Sequence, residues 1–198
     1  MRTRTIFFTA SLLLINSFSY PQTIKVTSMN CGSVITELSY NIKVNENSSL
    51  QRSCLTFNDP SCPVQLSDAG IVSKYDTYDK DYEFTAQGSL SSGEQIAAIE
   101  IRFLLFDVFG EHIKTLSSTQ VKDIVPNTSP NINTGGGWRA WENEIRGYLT
   151  SIAFVAQVRT SAGTVWRFNE KGISAEILKT HLKMLSGILD PSTDKTKK

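Results

Sequence analysis

Residues able to hold a metal, a proton or a nucleophile are sparse in this chain and fall in short stretches. In "KYDTYDKDYE", Asp76, Asp79 and Asp81 could offer carboxylate oxygens to calcium, an ion that needs several oxygens converging from one loop. The stretch lacks the glycine that an EF-hand carries at its sixth loop position. The expectation is therefore a solvated acidic turn feeding a strand that starts at Tyr82, with no bound metal and no cofactor. No Cys/His cluster has zinc-ligand spacing either. His112 and His181 are the only histidines. His112 follows a turn that opens at Asp107, so an Asp/His pair is conceivable. Catalysis needs a nucleophile, a base and an orienting group together, and no serine or cysteine nearby sits in a strained nucleophile turn. His181 lies between Lys179 and Lys183, where a boundary role on a helix suits it. The chain does not read as an enzyme.

The stretch "NTGGGWRAWENE" fails as a phosphate cradle, because it lacks the Lys-Ser/Thr of a P-loop. It serves better as a platform for a sugar or peptide, since Trp138 and Trp141 offer flat apolar area with a polar N–H handle. The competing reading makes one or both tryptophans core residues at a strand start. Three cysteines, Cys31, Cys54 and Cys62, allow one disulfide and one leftover thiol. "CLTFNDPSC" turns through Asn-Asp-Pro and favours Cys54 with Cys62. Cys31 lies too far past the N-terminal apolar run to be a lipid-anchor cysteine. Asn47 and Asn127 head the glycosylation acceptors "NSS" and "NTS".

These residues must be carried by elements that the rest of the chain supplies. Arg2 and Arg4, the apolar run Ile6 to Ile15, and the small residues Ser17 and Ser19 follow the order of a secretory signal peptide. Residues 1–19 are accordingly set outside the fold, and the protein is expected to be secreted or periplasmic. Without Arg2 and Arg4 the 20 basic residues fall one short of the 19 acidic, a net charge of −1. A chain so balanced, with no basic stripe, has little to offer a phosphate backbone, which excludes nucleic acid. The apolar run near Ile99 is broken by Glu100 and Arg102, so no integral membrane span is expected.

Residues 20–61 are polar and weakly patterned, an N-terminal extension with "TIKV" and "YNIKV" as strand candidates tied down by cysteine. From Cys62 the apolar residues recur with period two, the mark of half-buried strands. Tyr82, Phe84, Ala86 and Leu90 share one face; Ile99, Ile101, Phe103 and Leu105 share another; so do Ile152, Phe154, Ala156 and Val158. "TSAG" and "DVFGEH" read as glycine-containing hairpin turns, and 125–137 as a long exposed loop. A C-terminal helix over 174–187 is expected, capped by Ser174, stapled through Ile173 and Leu178 and ended by Gly187. Residues 188–198 read as a disordered tail. Leu104 and Phe106 turn apolar on the face that Glu100 and Arg102 leave polar. They need a cover, either this helix or a partner protein.

Phe103-Leu104-Leu105-Phe106-Asp107 resembles the FxLYD type of domain, a small secreted or envelope-associated β-sandwich, with Phe106 where that family has tyrosine. Val108-Phe109-Gly110 looks like the family's turn, and the likeness runs from about Tyr82 to Phe168. The resemblance implies an immunoglobulin-like fold and a non-catalytic envelope role. The expected protein is mainly β: an antiparallel immunoglobulin-like β-sandwich over 62–173 with one C-terminal α-helix. It would bind a protein or glycan, or play a structural part, through Trp138 and Trp141 or through Leu104 and Phe106. A secreted hydrolase or hydrolase inhibitor, its site built from residues distant in sequence, is the alternative.

Overall fold

The computed structural model describes residues 24–32, 34–35, 41–42, 50, 52–133, 138–141, 147–180 and 182. The expected signal peptide, Asn47, His181 and the expected tail lie outside these residues. The strands are β1 (Lys25–Gly32), β2 (Val34–Ile35), β3 (Asn41–Ile42), β4 (Arg52–Asn58), β5 (Val64–Asp76) and β6 (Asp81–Ser92). There follow β7 (Ile96–Asp107), β8 (His112–Ile124), β9 (Asn131–Asn133), β10 (Trp138–Ala140), β11 (Tyr148–Thr160) and β12 (Val165–Arg167), then helix α1 (Glu170–Lys179). The larger sheet runs β1-β4-β11-β7-β8, with β12 also on β11; the smaller runs β10-β6-β5, with β9 also on β6. Neighbours in these sheets are antiparallel except β4 and β11, which pair in parallel from Thr150 opposite Ser53 to Phe154 opposite Phe57. β4 falls within the segment expected to be an extension, yet it is an inner strand of the larger sheet.

The two sheets face each other across one core. Val64, Leu66, Ile71, Tyr82, Phe84, Ala86 and Leu90 from the smaller sheet meet Ile96, Ile99, Ile101, Phe103, Leu105 and Leu116 from the larger. The period-two pattern therefore points the residues of β6 and β7 as expected, and the molecule is a β-sandwich. β5 bends where Ser67 and Gly70 slip register against β6, and Asp68 adopts a positive φ of 50° there. Gly88 on β6 makes room for that bend: a Cβ on it would lie 3.0 Å from Leu66 Cδ1 and 3.3 Å from the Ser67 carbonyl oxygen.

A second core lies on the outer face of the larger sheet. Phe57, Leu104, Phe106, Ile152, Phe154 and Ala156 are capped there by Phe168 and by Ile173 and Ile177 of α1. Leu104 and Phe106, offered above as a contact surface, are fully buried and present nothing to a partner. The helix that covers them starts earlier than its pattern suggests. Asn169 is the cap, its side-chain oxygen accepting from the Lys171 amide at 3.1 Å. Ser174 sits inside the helix, donating its hydroxyl to the Glu170 carbonyl at 2.9 Å, and Leu178 is 68% exposed rather than stapled. Beside this core a polar row crosses the outer face: Thr119, Glu100, Gln157 and Arg167 follow one another across β8, β7, β11 and β12. Buried Glu100 accepts from Arg102 Nε at 2.6 Å and from Gln157 Nε2 at 2.5 Å.

The bridge expected between Cys54 and Cys62 is not formed; Cys62 is a free, buried thiol. The Asn-Asp-Pro turn does form, with the Cys62 amide donating to the Asp59 carbonyl at 2.9 Å. Cys54, however, lies four residues back along β4 from the strand's end at Asn58. At about 3.3 Å per residue that is roughly 13 Å of extended chain, well beyond the Cα separation of about 6 Å that a disulfide spans.

Candidate functional site

Asp76, Asp79, Asp81, Asp107, His112 and Trp141 gather at one end of the sandwich, while Cys62 and Asn127 lie at the other, near Ser92. β6 and β7 are joined by residues 93–95 and run away from that link for 12 residues each. The β5–β6 and β7–β8 turns therefore stand at the same end, one on each sheet. β10 runs antiparallel to β6 and stops with Ala140 opposite Tyr82, which brings Trp141 to the base of the β5–β6 turn. β11 then starts with Tyr148 opposite Asp107, and the Val108 amide donates to the Gly147 carbonyl at 3.0 Å.

Each turn is held by an aspartate that accepts from the amide of an aromatic residue two positions on. Asp76 Oδ1 accepts from the Tyr78 amide at 2.9 Å and the Asp79 amide at 3.3 Å, and Lys80 completes the turn at φ 56°. Asp107 Oδ1 accepts from the Phe109 amide at 2.9 Å and the Glu111 amide at 2.8 Å. Gly110 takes φ 78° and donates to the Asp107 carbonyl at 3.0 Å. These are local side-chain to backbone bonds of the kind that make aspartate a turn former. Their effect is to fix Tyr78 and Phe109 at the tips, 91% and 77% exposed. Trp141, at the base of the β5–β6 turn, is 60% exposed, whereas the side chain of Trp138 lies outside the described residues.

The acidic stretch has a different occupant from the one its composition invites. Asp76, Asp79 and Asp81 bring carboxylate oxygens within 4.8 Å of one another, but Arg139 of β10 reaches all three. Its Nη2 donates to Asp76 Oδ2 at 3.2 Å, and its Nη1 to Asp79 Oδ2 at 2.5 Å and Asp81 Oδ1 at 3.3 Å. The Tyr78 amide first, then the Asp79 amide and Arg139, hold the Asp76 carboxyl below its ordinary range. Hydrogen bonding to Asp79, with the charges around it, raises the Arg139 guanidinium. A divalent ion would have to displace this guanidinium, so the arrangement acts as a clasp that fastens β10 and Trp141 to the β5–β6 hairpin.

The suggested Asp/His pair is not assembled. Asp107 spends its carboxylate on its own turn, while His112 places Nε2 2.9 Å from Thr115 Oγ1 and meets the Phe106 ring edge-on at 5.8 Å. Beneath this end, buried Arg52 donates from Nε to the Tyr148 carbonyl at 2.9 Å and lies 5.6 Å from the centre of the Tyr148 ring. Burial pushes the Tyr148 phenol up to about 12. Sequence reasoning passed over Tyr78, Phe109 and Arg139. The recoverable signal was the repeated Asp-x-aromatic spacing, Asp76-Thr77-Tyr78 and Asp107-Val108-Phe109, inside turn-forming stretches.

No protein-family model and no curated protein matches the chain. Among solved structures it is similar to a hypothetical protein of Peptoclostridium difficile 630, known from a 1.85 Å X-ray structure, at 16% identity. The likeness covers 65% of this chain and 96% of that one with a TM-score of 0.44.

Proposed function

We propose that this protein is an exported, non-enzymatic β-sandwich that works as a binding or structural module in the cell envelope or outside the cell, meeting its partner through the end that carries Tyr78, Phe109 and Trp141. The observation that carries this reading is the exposure of three large aromatic side chains on three separate segments at one end of the fold. Exposed apolar groups gathered together mark interaction surfaces, whereas scattered ones need no explanation. Aromatic side chains are also the ones that dominate binding energy at contacts.

The immunoglobulin-like fold belongs to the same proposal. Support comes from the order β5-β6-β9/β10 in one sheet facing β8-β7-β11-β12 in the other, which follows the A-B-E and C′-C-F-G order of such domains, with β4 and β1 as additional strands on the side of β11 that β12 also occupies. The signal-peptide pattern of residues 1–19 supports export. The test replaces Phe109 and Trp141 with serine and, as a control, does the same to Val121, which is 82% exposed on the outer face of β8. The expected result is unchanged thermal stability in all variants, with retention on immobilised protein or glycan fractions of the envelope lost only for the aromatic ones. Unfolding of the aromatic variants would make these residues structural and end the proposal.

A further inference from the structure

We infer that Cys31 and Cys54 form a disulfide that latches β1, the edge strand of the larger sheet, to β4, and that Cys62 is the thiol left over. Cys54 is disulfide-bonded, Cys62 is free, and the chain has three cysteines, so elimination leaves Cys31. The strand register supplies an independent ground. β1 runs antiparallel to β4 with Met29 opposite Cys54 and Asn30 opposite Ser53, then slips so that Gly32 faces Arg52. The extra residue in that slip is Cys31. In a regular ladder Cys31 would be a diagonal neighbour of Cys54 at about 7–8 Å, just past the Cα separation of about 6 Å that suits a disulfide. A bulge sets two residues against one and bends its strand, which shortens the diagonal and brings the pair within reach.

Closing the bridge is a two-electron oxidation by a disulfide-bearing oxidant. One cysteine thiolate attacks the oxidant to give a mixed disulfide and release one of its thiols, and the second thiolate then displaces the other. The Cys31–Cys54 bond forms, the oxidant's S–S bond breaks, and two electrons and two protons pass to it. Secretory and periplasmic compartments sustain such an oxidation, whereas the cytosol keeps thiols reduced. The fold then protects the product. Cys54 is 1% exposed, so a reductant reaches its sulfur only when the sheet opens. Cys62 is the thiol that could reshuffle the bridge, but exchange needs the thiolate, and burial pushes this thiol up to about 12. The closed loop contains β2 and β3, and β1 stands at the end of the sheet order with β4 as its neighbour. The bridge is thus the covalent tie of that edge.

The experiment incubates the purified full chain with reduced and oxidised glutathione, alkylates free thiols with iodoacetamide in guanidinium, and digests with trypsin without reductant. Cleavage after Lys25, Lys43, Arg52 and Lys74 puts Cys31 on the peptide 26–43 and both Cys54 and Cys62 on 53–74. The expected species is the two peptides joined, carrying a single alkyl group that fragmentation assigns to Cys62. Peptide 26–43 recovered alkylated, or a cross-link that fragmentation assigns to Cys62, overturns the inference. So does a bridge that joins two chains on non-reducing electrophoresis. Cys31→Ser should lower the melting temperature by several degrees and leave Cys54 open to alkylation after unfolding, while Cys62→Ser keeps the bridge; an unchanged melting temperature in Cys31→Ser would deny the latch. If Cys31→Ser does not fold, the peptide map of the wild type decides. Dithiothreitol at pH 8 should open the bridge about tenfold or more faster in guanidinium than in the native chain, and equal rates would show that the fold does not shield it.

Discussion

Tyr148 and Cys62 show how burial alone sets the behaviour of a reactive group. The Tyr148 hydroxyl lies fully buried with only the buried Ser151 hydroxyl to interact with, and no hydrogen bond of good geometry joins them. An unsatisfied buried hydroxyl is a liability, so Tyr148→Phe should leave urea stability unchanged or raise it by up to about 1 kcal/mol. A loss of more than that amount would reveal a bond this hydroxyl makes. Burial pushes the Cys62 thiol up to about 12 from 9.0. Only the thiolate reacts, so iodoacetamide at pH 8 should leave Cys62 unmodified in the native protein and label it in guanidinium, as read by mass spectrometry. The cysteine count and the Asn-Asp-Pro turn were legible in the sequence. The pairing was not, because strand extension between Cys54 and Asn58 depends on a β4 that its polar residues Arg52, Ser53 and Thr56 disguise. Arg52 and Thr56 are buried in the sheet, and no period-two apolar pattern announces a strand whose inward face is polar.

At the scale of elements, α1 is held by two kinds of interaction of different size. Asn169→Ala removes one capping bond and should cost about 1 kcal/mol. Ile177→Ala empties a fully buried position under the helix and should cost about 2–5 kcal/mol, with dye binding to the uncovered Leu104 and Phe106. Equal losses in urea titrations of the two variants would mean that the helix is not seated by its apolar face. That a helix would cover Leu104 and Phe106 could be read from the change of character along β7. Its start could not, since Gly172 interrupts the helical signal and left Ile173 to be read as a staple outside the helix when it is one of the two residues anchoring it. The aromatic end was half legible. Trp141 stood out by type, whereas Tyr78 and Phe109 were hidden in turns whose aspartates drew attention to metal and catalysis.

For the whole molecule, alkaline pH should be the weak side. Above pH 9 the unfolded chain gives up the Cys62 proton that the native chain holds to about 12. Above pH 10 the same becomes true of Tyr148. Stability carried by each group is present below its unfolded value and is lost as pH rises through the window, at about 1.4 kcal/mol per pH unit for each. Urea midpoints at pH 8, 10 and 11 should fall in that order, and less steeply in Cys62→Ser. The cores on the two faces of the larger sheet share β7 and β11, so near- and far-ultraviolet dichroism should report a single coincident transition. The parallel pairing of β4 with β11 also has a temporal side. Ser53 waits for Thr150, and Arg52 for the carbonyl of Tyr148, 96 residues further on. As the chain emerges from a ribosome or passes a translocation pore, β4 has no neighbour on that side until β11 arrives, so the larger sheet cannot close before most of the chain is out. Contacts of such separation set a slow step, so the larger sheet is completed only when nearly its last strand has been delivered.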